Sequence, residues 1–184
     1  AWADHERSKI GEDRFFREHE CNFIAADETL INSIKLANLE GVDPMDRIGQ
    51  LRIYEKINKE KTYAIGWDPS LGTGGDSAAI QVFSLPDLAQ VAEWQHNKTD
   101  VRGQLRVLVS LLNWLKDQGL DNEQMYWSVE NNTLGEAALV AIVEYGEDSI
   151  PGYFLSEPGA KRKGFNTTNK SKLAACAKLK YYIE

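Results

Sequence analysis

Three acidic residues occupy positions where a carboxylate can do chemistry. Asp68 closes a segment in which bulky Tyr63, Ile65 and Trp67 alternate with Ala64, Gly66 and Asp68 itself. A period of two predicts a β-strand with one bulky and one small face. Glu130 closes a second such segment, 124–130, with Tyr126, Ser128 and Glu130 on one face. Asp76 follows a turn that contains Gly72, Gly74 and Gly75. If the two strands lie side by side, Asp68 and Glu130 end at comparable heights, and such a pair repels at neutral pH unless a cation or a shared proton relieves it. Magnesium and manganese bind through hard oxygen ligands. Two such ions, about 3.5–4 Å apart, activate water and stabilise the leaving oxygen of a phosphodiester. Read singly, each acid is equally a solvated strand end, and Asp76 is either a further ligand or an acceptor for turn amides.

Other chemistries find less support. The glycine turn is followed by no Gly-Lys-Ser/Thr, and Ser77 stands where a dinucleotide fingerprint places its last glycine. Cys21 and Cys176 lie far apart, and His5, His19 and His96 are scattered, which argues against a zinc site or a disulfide framework and suits a reducing cytoplasm. No apolar run reaches the roughly 20 residues of a membrane span, and no signal peptide opens the sequence. The formal charge of the 184 residues is −7, but it is unevenly spread. Residues 158–184 carry Lys161, Arg162, Lys163, Lys170, Lys172, Lys178 and Lys180 against Glu184 alone. A basic end on an acidic body is either a polyanion contact or a solvated face.

The elements that must position the acids follow from the same patterning. Residues 1–58 are polar and irregular, with a short helix expected within 26–40 that Gly41 and Pro44 terminate. Strands are expected over 62–68, 77–85 and 88–96, joined by short turns as a meander. A helix capped by Thr99 or Asp100 follows, with Leu105, Leu108, Val109, Leu112 and Leu115 as its apolar stripe and Gly119 at its end. After the strand 124–130, Thr133 and Glu136 form a capping box that opens a helix to about Tyr145. Phe154 sits in a short strand, 156–167 is a loop, and a last helix from about Thr168 turns Leu173, Cys176, Ala177 and Ile183 inward. The order β-β-β-α-β-α-β-α predicts an α/β mixed sheet flanked by helices, and it is also the ribonuclease-H-like order.

Four collinear segments resemble the nuclease domain of tailed-phage terminase large subunits. WDPSLGTGGDSAAIQVF (67–83) resembles that family's first catalytic hairpin, and SVENNTLGEA (128–137) its strand-end glutamate motif. EPGAKRKGFNTTNKSKLAACAKLK (157–180) resembles its basic loop and following helix, and RFFREHECNFI (14–24) the segment that joins the ATPase domain to the nuclease. The resemblance implies a lead-in over 1–58 and a nuclease domain over 59–184. It implies Asp68, Glu130 and Asp76 as catalytic metal ligands for Mg2+ or Mn2+, two ions in the complete site. It implies Lys161, Arg162, Lys163, Lys170 and Lys172 as contacts to double-stranded DNA, in a loop that is mobile without it. The implied partners are an ATPase domain in cis, the portal and the small terminase subunit, in the host cytoplasm at the procapsid portal, with no membrane. The family's third catalytic aspartate, after the last helix, has no match in Glu184, so a truncated site is expected. Two other readings stay open. One is an actin-like or sugar-kinase ATPase, for which the chain is short. The other is a non-catalytic docking domain of the same fold.

Overall fold

The computed structural model describes residues 30–132 and 134–183, without the side chains of Ser33 and Ile34. The chain divides into two compact units, Val42–Thr167 and the combination of Ala1–Gly41 with Thr168–Glu184.

The larger unit is a seven-stranded sheet with two long helices. Its strands are β1 (Asp46–Ile48), β2 (Leu51–Ile53), β3 (Thr62–Asp68), β4 (Ala78–Leu85), β5 (Ala89–His96), β6 (Met125–Val129) and β7 (Tyr153–Phe154), in the spatial order β1-β2-β5-β4-β3-β6-β7. The first five in that order are antiparallel neighbours, whereas β6 lies parallel to β3 and β7 parallel to β6. Parallel neighbours need a crossover. The crossover into β6 contains a helix over Val101–Asp117, and the one into β7 a helix over Gly135–Tyr145. With the short helix Ser33–Ala37 as α1, these are α2 and α3, and Asn169–Ile183 is α4.

Alternation divides the sheet into two faces. Tyr63, Ile65 and Trp67 of β3 stand in register with Met125, Trp127 and Val129 of β6, and all six are buried. They join Leu105, Leu108, Leu112 and Leu115 of α2 and Ala138, Ala141 and Ile142 of α3 in one core. Trp127 stacks on Phe154 with ring centroids 4.3 Å apart, which extends the packing to the β7 edge. The residues between them, Gly66 and Asp68 on β3 and Ser128 on β6, point to the opposite face. Asp100 caps α2 by accepting from the Gly103 N–H at 2.6 Å.

The ribonuclease-H-like mixed α/β sheet expected from the sequence is therefore present from β3 onward, with local corrections. Residues 46–53, within the expected irregular lead-in, form a hairpin that widens the sheet; three-residue strands leave no window in which alternation can be read. Thr133, half of the expected capping box, lies outside the described residues, and α3 starts at Gly135. Helix α4 has no fully buried residue among those described: of the face expected to turn inward, Cys176 and Ile183 are half-buried, and Leu173 and Ala177 are exposed. Its apolar side chains Leu173, Leu179, Tyr181 and Tyr182 are spread around the helix rather than aligned in a stripe.

The turn from β3 to β4 is built against the segment that opens α2. Gly72 has φ +70°, and a Cβ there would collide with the Thr99 carbonyl, whereas a Cβ on Gly75 meets nothing. We expect Gly72→Ala to destabilise the fold by about 1–3 kcal/mol and Gly75→Ala to stay within about 0.5 kcal/mol, as measured by urea unfolding.

Candidate functional site

Asp68 is the last residue of β3, and Glu130 follows the last residue of β6. The Glu130 N–H donates to the Trp67 carbonyl at 3.0 Å, which continues the parallel ladder by one step and sets Glu130 beside Asp68 on the face opposite the core. The two carboxyl groups are within hydrogen-bonding distance of each other. Partial burial, then the hydrogen bond with Glu130, then the charge of Glu130 push the Asp68 carboxyl up to about 6. The pair thus retains a proton well above the ordinary aspartate range. A hollow of about 400 Å³ opens over it, lined by Gly66, Asp68, Gln81, Ser128, Glu130 and Phe165. Gly66 leaves open space where any other residue would put a Cβ.

Two hard-oxygen ligands that must share a proton when nothing else neutralises them are a donor set suited to a divalent cation. Among the described residues, however, no three His, Cys, Asp or Glu side chains are grouped closely enough to hold an ion. Asp76 is not grouped with the pair in this way. Register explains this. Asp68 pairs with Ala79, so Asp76 lies three residues before that pairing, on the turn, or on the order of 10 Å away at strand rise. That turn is tied to the segment just past β5, with the Gly74 N–H donating to the Asn97 carbonyl at 2.7 Å and Asn97 Nδ2 donating to the Gly74 carbonyl at 3.0 Å.

The basic loop meets the same strand end. Phe165 bridges Glu130 in parallel, with the Phe165 N–H donating to the Val129 carbonyl at 3.0 Å and the Asn131 N–H to the Phe165 carbonyl at 2.9 Å. The side chain of Asn131, 4% exposed, donates to the Lys163 carbonyl at 2.7 Å. The loop expected to hang free is thus stitched to β6 over residues 163–165. Two of its cations are already paired: Arg162 with Glu136 at 2.5 Å and Lys163 with Glu147 at 2.6 Å. Lys161 and Arg162 line a polar cleft of about 630 Å³ together with Asn131, Asn132, Glu136 and Asn166. Lys170 and Lys172 are exposed on α4, in the other unit.

Sequence reasoning passed over two buried amides, Gln104 and Asn131. Gln104 had a signal: it adjoins Leu105 on the apolar side of an amphipathic helix, where a polar residue must find partners.

No known family model matches the sequence, and no curated protein matches it. Among solved structures, the fold is that of phage terminase nuclease domains. The large terminase nuclease from thermophilic phage G20c superposes with a TM-score of 0.57 at 18% identity, over 78% of this chain and 65% of that one. The same nuclease with bound magnesium gives 0.56 at 17% identity, over 78% and 65%. With bound zinc it gives 0.55 at 17% identity, over 78% and 71%. The chain spans about 65% of the length of the first of these nucleases. At such identities the likeness is one of fold, and it agrees with the mixed sheet described above.

The coupled pair has a pH signature. Because the folded pKa of Asp68, about 6, lies above its unfolded value, the folded state binds the extra proton between these limits. Stability therefore falls as pH rises from about 4 through 6. We expect Asp68→Asn to abolish this fall and to raise stability at pH 8 by on the order of 1 kcal/mol, after allowance for the solvent that reaches the carboxyl. Melting temperatures from pH 4 to 8 in EDTA check this.

Proposed function

We propose that this chain is the metal-dependent endonuclease domain of a viral DNA-packaging terminase, cutting concatemeric double-stranded DNA by phosphodiester hydrolysis. The observation that carries the reading is the Asp68–Glu130 pair, two carboxyl groups side by side at adjacent parallel strand ends and lining one hollow, on a sheet whose solved neighbours are terminase nucleases. The neighbours solved with magnesium, zinc and cobalt support divalent-cation binding in this fold. Mg2+ or Mn2+ is the cation we assign to the pair, and two ions are expected once a third ligand is supplied. Bound there, divalent cations activate water and stabilise the leaving oxygen.

The chain's own residues do the rest. Asp68 and Glu130 supply the negative charge that holds the cations and give up their shared proton on binding. Gly66 and Ser128 keep the face beside them low, so that a phosphodiester can approach. Lys161, Arg162 and Lys163 bind backbone phosphates without reading bases, and Lys170 and Lys172 do the same from α4. Asp76 is at most an outer contributor. The implied setting is the procapsid portal in the host cytoplasm, with the ATPase domain in cis, the portal and the small subunit as partners.

A docking domain of the same fold is the second reading, favoured by the absence of a third acid beside the pair among the described residues. Mn2+ separates the two. We expect millimolar Mn2+ to raise the melting temperature above its value in EDTA, since a ligand bound only by the folded state stabilises it by mass action. Asp68→Asn and Glu130→Gln should each remove that gain. Equal melting temperatures with Mn2+ and EDTA in the parent chain would favour the docking reading.

The DNA assignment is tested separately. Replacing Lys161, Arg162 and Lys163 together with alanine should weaken binding equally for duplexes of any sequence. It should also flatten the log–log salt dependence by about 0.9 for each phosphate that is no longer neutralised. An unchanged slope would leave these cations as partners of Glu136 and Glu147 only.

A further inference from the structure

Four polar side chains are buried among the described residues: Ser70, Ser84, Gln104 and Asn131. Gln104, on α2, has no exposed surface and uses its whole amide. Its Oε1 accepts from the Ser70 N–H at 3.2 Å and from Trp67 Nε1 at 3.3 Å. Its Nε2 donates to the Ser70 carbonyl at 2.7 Å and to the Thr99 carbonyl at 2.6 Å. The side chain thus pairs with both backbone groups of Ser70, as a neighbouring strand would.

The residues it grips bracket Asp68. Trp67 precedes the acid and Ser70 follows it by two. Between them stands Pro69, which has no N–H, so Ser70 is the first residue past Asp68 whose amide can anchor the chain. On the β4 side the ladder ends at the Asp68–Ala79 pair, and on the β6 side the pairing of β3 ends at Trp67 and Val129. We propose that Gln104 is a positioning residue that fixes where the Asp68 carboxylate stands relative to Glu130. The amide also supports the fold, since without it the Ser70 N–H, the Trp67 indole N–H and the Ser70 and Thr99 carbonyls would lose this partner; its place behind the acid is what points to positioning. A leucine or methionine would continue the α2 stripe. The amide adds a fixed exit for β3, directly behind the acid.

The inference takes its second readout, metal affinity, from the cation site proposed above; its first readout is independent of that site. In the full chain, Gln104→Met removes all four bonds at similar side-chain volume. Without metal, the Asp68 titration, followed by carboxyl-carbon NMR, should fall from about 6 by the part that Glu130 contributes as the carboxyl separates from it, while burial keeps the rest of the rise. With metal, Mn2+ affinity measured by calorimetry should drop about tenfold or more, the usual cost of losing an outer support of a ligand. Where Gln104→Met does not fold, Gln104→Asn keeps the neutral amide but is one methylene too short to reach Ser70, and is expected to give the same two changes. A lowered melting temperature with an unmoved Asp68 titration would overturn the proposal and leave Gln104 a packing residue. Absence of Mn2+ binding in the parent chain would overturn the cation site, while the titration would still decide the role of Gln104.

Discussion

Two carboxyl groups at neighbouring strand ends repel once both ionise, so a chain that sets them together must hold them by something stronger than their preference to part. Here the holder is the parallel pairing of β3 with β6. Tyr63, Ile65 and Trp67 are locked in register with Met125, Trp127 and Val129, and a one-residue slip of either strand would turn its three buried side chains to the opposite face. The core therefore fixes the relative height of Asp68 and Glu130 without any contribution from the acids themselves. Separating the acids would mean breaking a well-buried part of the sheet, and the cheaper response is to keep a proton, in line with the raised Asp68 carboxyl.

That frame extends past the strands on both sides of the pair. Behind Asp68, Gln104 holds the chain through Ser70, and Asn97 ties the glycine turn down. Beyond Glu130, Asn131 and Phe165 splice the basic loop to the end of β6. The loop's cations meet acids of this chain first. Arg162 and Lys163 are partnered by Glu136 and Glu147, so an incoming phosphate must compete for them rather than fill a bare positive patch. Exposed pairs of this sort are weak, about 0–1 kcal/mol each, and are readily exchanged.

The parts of this architecture that were legible in the sequence are those written as long periodic runs. Strands β3, β4 and β5, helix α2 with Asp100 at its cap, and β6 with its terminal acid all come from alternation or a 3.6-residue stripe that the core enforces. The β1–β2 hairpin was not legible, because such short strands carry no period. On α4 the expected face was met in part, with Cys176 and Ile183 half-buried and Leu173 exposed, because further apolar residues such as Leu179, Tyr181 and Tyr182 surround that stripe. At the site, the pairing of Asp68 with Glu130 could be foreseen, since two strand ends of like height follow from parallel neighbours. The place of Asp76 apart from the pair could not be, because it depends on which way a long turn folds, and hydrogen bonds to Asn97, far along the sequence, decide that. Gln104 shows a third case, in which the residue was visible as an oddity in its stripe and only coordinates reveal what it grips.

The splice at Phe165 also sorts the basic loop by how freely it can drift. The Glu157 N–H donates to the Gly164 carbonyl at 3.0 Å, so the segment between them is closed at its base like the neck of a purse. Within that closed tip, residues 158–162 can lengthen, shorten or exchange charges without the sheet registering the change, since loop closure cost grows only slowly with length. At the base the freedom stops. Gly164 holds φ +82° against the Val129 carbonyl, and Phe165 occupies a ladder position beside Glu130. A lineage could therefore retune its grip on a polyanion through the tip alone, while the acid next door stays where the core put it.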